Sequence, residues 1–228
     1  MNRTPMNSLD LLKHKLPLLL FDLDGTLIDS QHLVFETFRR VFALRKPDYA
    51  LSDEELYSFF GPTLEVTFMR YFPKEEVEEI IDLYQVINRD LHYTLLKEMP
   101  HALETIQALH AKGYEMGIVS NKRRDPVLLG MEICQLTPYF SHVFAKEDQP
   151  ECKPAPGGII YAAKTMGYEP CETVYVGDNA ADMQASRRAG VFGIGYTLDT
   201  IQKEALKKEE PWRLIDDLAL LPSVLLEV

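Results

Sequence analysis

The sequence predicts an α/β fold, a doubly wound parallel sheet with a small all-helical domain inserted near its start. Three observations carry this. An apolar run at residues 16–21 breaks off at Asp22, Asp24 and Gly25, residues 33–98 show only helical patterns, and strand-like and helix-like segments alternate beyond about residue 100. Short crossovers between apolar strands favour parallel pairing with helices on both faces.

Taken in order, residues 1–15 read as an N-terminal extension. Arg3, Lys13, His14 and Lys15 surround a short, interrupted apolar patch without the continuous core or small-residue cleavage site of a secretory signal, so the chain is expected in the cytosol. The sheet-bearing core is assigned to 16–32 and 99–228, the helical insert to 33–98. Within the insert, Val34, Phe35, Phe38, Val41 and Phe42 recur at helical spacing, and Ser52 followed by Glu55 is a capping-box start. Pro73 opens a longer pattern in which Val77, Ile80, Ile81, Tyr84, Ile87 and Leu91 share one face. Two crossings, at 30–33 and 96–100, join insert to core. Next come a helix ending at Gly113, a strand through Val119, a short strand near Val143 and a helix ending at Gly167. The strand 173–176, a helix ending at Gly190 and the strand 192–196 follow. The last segment, from Pro211, reads as a packing element with Asp216 and Asp217 solvated.

Composition narrows the function. With 228 residues and 46% hydrophobic content the chain can bury one good core plus a smaller unit. A formal charge of −11 argues against nucleic acid as a partner, and no apolar run approaches the roughly 20 residues needed to cross a bilayer. Cys134, Cys152 and Cys171 lack the spacing of a metal site or disulfide framework and read as unpaired thiols; Cys152 stands out only for preceding Lys153. The six histidines form no evident site, with His92 and His101 alone near the junction of insert and core.

The chemistry-bearing residues sit where apolar strands end. Strand side chains alternate, so Asp22 and Asp24 would share a face if the strand continued, and Gly25 permits a sharp turn just beyond. Two close carboxylates repel unless a cation lies between them, and a hard ion such as Mg²⁺ takes oxygen ligands; an Asp-Gly turn capping a strand is the plainer reading of the same residues. Downstream, one strand closes on Ser120, Asn121 and Lys122, Lys153 precedes a helix, and another strand closes on Asp178 with Asp182 four residues on. Ligands of open parallel sheets sit beyond the carboxyl ends of the strands, where one cleft could collect these groups.

In this order the motifs resemble those of the haloacid dehalogenase superfamily of phosphohydrolases: an Asp-x-Asp-Gly-Thr loop, a Ser/Thr, a Lys and an acidic Gly-Asp-x-x-x-Asp loop. The resemblance spans all but about the first fifteen residues. It implies a Rossmann-like core with a helical cap and a Mg²⁺-dependent phosphatase acting on a small phosphorylated metabolite, as a monomer or homodimer. It assigns Asp22 as nucleophile forming an aspartyl phosphate and Asp24 as general acid and base. The metal ligands it implies are the carboxylates of Asp22 and Asp178 and the backbone carbonyl of Asp24, with Asp182 supporting. Ser120, the Asn121 amide and Lys153 would hold the phosphate. Lys122 reads as a weaker candidate beside the cleft. Thr26, placed to orient the nucleophile loop, leans towards hydrolysis, because related sugar phosphomutases tend to carry Val there. Gly61, Pro62, Thr63 and Leu64 resemble a loop of the phosphoglycolate phosphatase branch and its pyrophosphatase relatives. Arg124 and Asp125 resemble the bacterial pyrophosphatase type, whose substrate presents a second phosphate; Arg123 and Arg124 also fit a solvated helix start. The competing readings are a sugar phosphomutase, a metal-independent dehalogenase, against which Asp24 and Asp178 count, and a non-catalytic binding module.

Overall fold

The computed structural model describes residues 16–60 and 62–228. The expected N-terminal extension and Gly61 lie outside the described residues. Six strands form one parallel sheet: β1 (Leu18–Phe21), β4 (Met116–Val119), β5 (His142–Phe144), β6 (Thr173–Gly177), β7 (Phe192–Tyr196) and β8 (Arg213–Ile215), in the spatial order β5-β4-β1-β6-β7-β8. The chain winds outward from β1 to β4 and β5, then returns to β6 on the other side of β1. That reversal leaves a crevice beyond the carboxyl ends of β1 and β6, the place where doubly wound sheets bind ligands.

Strand β1 is fully buried, and its side chains alternate as the pleat requires. Leu19 and Phe21 join one apolar cluster with Ile106 and Leu109 of α5 (Ala102–Ala111) and Val127 and Met131 of α6 (Arg124–Ile133). Leu18 and Leu20 join another with Ile159 and Ala162 of α7 (Gly157–Thr165) and Ala185 of α8 (Ala180–Ala189). A strand buried on both faces must be apolar throughout, which is why the motif acids can appear only past its end.

Between β1 and β4 the chain forms α1 (Gln31–Arg45), α2 (Asp53–Ser58), α3 (Leu64–Phe68) and α4 (Val77–Leu95). These helices enclose an apolar cluster of their own. All five apolar residues expected on α1 are buried, as are Val77, Ile80, Ile81, Tyr84 and Leu91 of α4. Phe38 anchors the cluster, with ring centroids 4.4 Å from Phe59, 4.9 Å from Tyr84 and 5.3 Å from Phe68. The capping box is formed: the Glu55 amide donates to Ser52 Oγ at 3.2 Å and the Ser52 amide to Glu55 Oε2 at 2.9 Å. The chain just before the first expected crossing pairs with the second as a small antiparallel ribbon, β2 (Ile28–Asp29) with β3 (Lys97–Glu98), while residues 31–33 already belong to α1.

The C-terminal segment differs from expectation. It supplies a sixth strand, β8, after the helix α9 (Thr200–Lys208), then a short helix α10 (Leu221–Val224). Asp216 and Asp217 are not merely solvated: Lys203 reaches Asp216 at 3.0 Å and His101 reaches Asp217 at 2.8 Å.

Candidate active site

Asp22 follows β1 directly. Its amide still bonds to the Val176 carbonyl of β6 at 2.9 Å, and its carboxylate accepts the Leu23 amide at 2.8 Å, which fixes the side chain at the sheet edge. Asp178 follows β6, next door. Gly25 turns the intervening loop with φ +81°, and a Cβ there would lie 2.4 Å from Asp178 Oδ2, so only glycine lets this loop pass over the second carboxylate. Thr26 Oγ1 donates to Asp178 Oδ1 at 3.1 Å, so it orients an acid of the neighbouring strand.

Lys153 is the hub. Its ammonium, almost wholly buried, lies 3.0 Å from Asp22 Oδ1, 2.7 Å from Asp182 Oδ1 and 2.8 Å from the Tyr175 hydroxyl. Asp182 in turn caps α8: the Asp178 and Asn179 amides donate to its Oδ2 at 3.1 Å, while the Ala181 and Asp182 amides donate to Asn179 Oδ1. A carboxylate at a helix N-terminus is favoured there, and this one is held in place for the lysine. Asn121 joins the lysine loop to β4, its side chain donating to the Lys153 carbonyl at 2.8 Å and accepting the Lys153 amide at 2.9 Å. Ser120 is buried, and its Oγ accepts the Lys122 amide at 3.2 Å.

Electrostatics follows from this crowding. Burial pushes the Asp22 carboxyl up to about 7; Lys153 opposes the rise and Asp182 adds to it. Asp178 lies well above the usual carboxylate range, from burial first and then from the charges of Asp182 and Asp22. Burial would lower the Lys153 ammonium, but Asp182 and Asp22 outweigh it and hold it above its ordinary value.

The structure divides the two loop acids instead of pairing them. Asp24 sends its carboxylate to Lys122, 2.9 Å away, and burial, which would raise this acid, is overcome by that ammonium so that it lies below its ordinary value. Lys122 therefore belongs to the site more firmly than its sequence context indicates. The side chains that converge on one another are Asp22, Asp178 and Asp182, with carboxylate oxygens within 4.8 Å. These hard oxygen donors fit Mg²⁺. Each oxygen of Asp182 holds two partners, Oδ1 the Lys153 ammonium and Tyr175 and Oδ2 two amides, whereas Asp178 carries a single neutral side-chain donor on each oxygen, Thr26 and Gln202, which leaves Asp22 and Asp178 as the better placed side chains.

These groups floor a cavity of about 110 Å³ roofed by the helical insert: Val34, Phe38, Phe59, Phe60, Leu64 and Tyr84 give an apolar wall, and Glu65, Arg123 and Lys146 a charged one. Pro62 and Thr63 of the expected specificity loop line it too. Arg124 does not. Its guanidinium is spent on Asp148 and on the Val143 carbonyl, and Asp125 is exposed, 3.8 Å from Arg89, so the expected second-phosphate cation is a structural strap while Arg123 faces the cleft. Burial raises the pKa of the Cys152 thiol despite Lys146 and Lys153, which disfavours the thiolate. His92 is buried, its Nδ1 2.7 Å from the Asn88 carbonyl, and His101 is exposed against Asp217. Sequence reasoning missed Tyr175 and Gln202. The first carried a signal, since a tyrosine inside a fully buried strand needs a partner for its hydroxyl.

A doubly wound sheet with carboxylates and a buried lysine at its switch point, roofed by a helical insert, defines a capped α/β hydrolase. The family model of haloacid dehalogenase-like hydrolases matches residues 19–196, and the chain belongs to that family. A relative described as pyrophosphatase PpaX from Anoxybacillus flavithermus is 35% identical over 207 residues, covering 91% of this chain and 95% of its own. Among solved structures, a haloacid dehalogenase-like family hydrolase from Streptococcus pneumoniae superposes with a TM-score of 0.80 at 20% identity, over 92% of this chain and 98% of its own. A predicted phosphoglycolate phosphatase from Haemophilus somnus gives 0.82 at 23%, over 92% and 97%. Likeness at such identities shows the shared fold. Among the described residues no helix is long and apolar enough to cross a membrane.

Proposed function

We propose that this chain is a Mg²⁺-dependent phosphatase of a small phosphorylated metabolite, working through an aspartyl phosphate on Asp22. The observation that carries this reading is the buried Lys153 set between Asp22 and Asp182 beside Asp178 at the mouth of the switch-point crevice. Asp22 and Asp178, with the Asp24 carbonyl, would hold the ion, which when bound supplies positive charge against an anionic nucleophile and substrate. The rest is the protein's own work. Leu23 and Lys153 fix the Asp22 carboxylate for attack on phosphorus, and splitting hydrolysis into acyl phosphate formation and breakdown lowers each barrier. Ser120, the Asn121 amide and Lys153 bind the phosphoryl oxygens, as a transfer governed by positioning and charge requires. Asp24 gives a proton to the departing oxygen and takes one from water. Lys122 favours its ionised form, and an arriving phosphate offsets that ammonium and favours the protonated form needed first.

The pyrophosphatase relative and the cap loop at Pro62 and Thr63 favour pyrophosphate or phosphoglycolate as substrate; the apolar roof favours a monoester. A phosphate-release panel of phosphoglycolate, pyrophosphate, sugar phosphates and nucleoside monophosphates, with and without chelator, tests the reading. Turnover should require Mg²⁺ and vanish in Asp22→Asn. Full turnover of an aryl phosphate by that variant would exclude the mechanism. Isomerisation without phosphate release, and only with a bisphosphate primer, would identify a mutase instead.

A further inference from the structure

We propose that Gln202 is a positioning residue for the metal: its side-chain amide clamps Asp178 in the orientation in which that carboxylate takes up the divalent ion. The proposal rests on the metal reading above. Asp178 ends a strand and begins a turn, so nothing local fixes its rotamer. Thr26 restrains Oδ1 from one side. From the opposite side, Gln202 Nε2 donates both to Asp178 Oδ2 at 3.1 Å and to the Asp178 carbonyl at 2.7 Å, holding side chain and backbone of one residue together.

The clamp is itself built. Thr197, nearly buried after β7, donates its hydroxyl to Gln202 Oε1 at 2.7 Å, which fixes the amide with its NH₂ towards Asp178; the reverse flip would set carbonyl against carboxylate. The Asp199 amide donates to Thr197 Oγ1 at 3.0 Å, and the Gln202 amide to Asp199 Oδ1 at 2.8 Å, so the turn from β7 into α9 is tied in two further places. Every link of this chain, Thr197, Asp199 and Gln202, lies beyond residue 196, where the family match ends. A helix with no motif residue of its own thus fixes the acid of β6. Partners of this kind that orient a ligand set metal affinity by about 10–100-fold.

The test is isothermal titration of the whole purified chain with MgCl₂ alone, for the wild type, Gln202→Met and Thr197→Val. Gln202→Met keeps length and removes both donors, and it should weaken Mg²⁺ binding about tenfold or more. Thr197→Val leaves Gln202 in place but frees its amide, and it should weaken binding less. Circular dichroism melts, with Tm near the wild type, separate this from misfolding, and Thr197→Val carries the test alone if Gln202→Met does not fold. The KM for an aryl phosphate at saturating Mg²⁺ should stay at the wild-type value. Unchanged Mg²⁺ affinity in folded variants overturns the proposal and leaves the phosphatase reading standing. A wild type that binds no Mg²⁺ overturns the metal reading itself.

Discussion

Replacing Gly25 by Ala is the sharpest single perturbation of the site, because the added atom meets the Asp178 carboxylate. The new Cβ would stand 2.4 Å from Asp178 Oδ2 and 2.6 Å from its Cγ. Ordinary contact between such atoms is about 3.5 Å, so Asp178 or the loop after Asp22 must move by about 1 Å. The backbone adds its own cost: with φ +81°, an L-residue is disfavoured by roughly 1–2 kcal/mol. The loop bonds on both sides of Gly25, its amide to Ile28 and the Leu27 amide to Leu23, resist relief by the backbone, so the carboxylate gives way. A displacement of that size among reacting groups costs on the order of 10²-fold in rate. The expected result is a fall of about 10²-fold in kcat/KM for p-nitrophenyl phosphate, a weaker Mg²⁺ isotherm and only a small drop in Tm. Wild-type kcat/KM in a folded variant would refute the claim that Asp178 must sit under the glycine turn.

Three further outcomes follow from other parts of the molecule. Phe38→Ala empties the centre of the insert's aromatic cluster and should destabilise the protein by about 3–5 kcal/mol in urea unfolding; a loss under 1 kcal/mol would show that the insert collapses freely around the gap. Asp24→Asn removes the proposed general acid and base and should lower kcat within the about 10²–10⁴-fold range of such catalysis, whereas unchanged kcat would detach the Asp24–Lys122 pair from the chemistry. The hydrogen bond that His101 donates to Asp217 raises the His101 pKa, and the pKa of Asp217 is lowered by the Ala219 amide first and then by His101. Their mutual stabilisation is present below the unfolded histidine value of about 6.5 and fades as pH rises through the raised one; it also fades in acid as pH falls through the lowered Asp217 value. An NMR titration should place His101 above 6.5, and Asp217→Asn should return it towards that figure.

Much of this was legible in the chain because a buried parallel strand tolerates no unpaired charge. Where the apolar runs stop, at Asp22, Ser120 and Asp178, function can begin, and the structure puts those stops around one crevice. The insert was legible because its apolar residues repeat at helical spacing. Lys122 was underrated since its partner Asp24 lies 98 residues away, and no local pattern announces a pairing of that span. Arg124 was overrated for the converse reason: a cation next to a motif promises a ligand, yet the Val143 carbonyl and Asp148 claim it. β8 was missed because it is three residues long at a sheet edge, with one residue exposed and one buried. Gln202 had no signal at all, being one amide among the polar residues of α9.

The charge lining the cleft bears on which phosphate it takes. Asp22, Asp24, Glu65, Asp178 and Asp182 stand against Lys122, Arg123, Lys146 and Lys153, so five carboxylates, counted as ionised, meet four cations, and each lysine has a carboxylate partner. Arg123 is divided between Glu65 at 3.9 Å and Glu78 at 3.3 Å. One bound Mg²⁺ would therefore leave a surplus of one positive charge, which offsets half the dianion of a phosphate monoester. Pyrophosphate carries more charge, and the excess is less well balanced by the groups that line the cleft. The expected consequence is that monoester hydrolysis saturates with a single Mg²⁺ dependence, while pyrophosphate is hydrolysed as its own Mg²⁺ complex and shows a second dependence at higher Mg²⁺. Glu65→Gln, by removing one of the five carboxylates, should weaken that second dependence and leave the first in place. Rate curves against free Mg²⁺ for pyrophosphate and phosphoglycolate, with the substrate complexes accounted for, decide the point. Superimposable curves would show that the cleft's ion pairs open to receive the second phosphate, and the charge balance seen here would then not govern substrate choice.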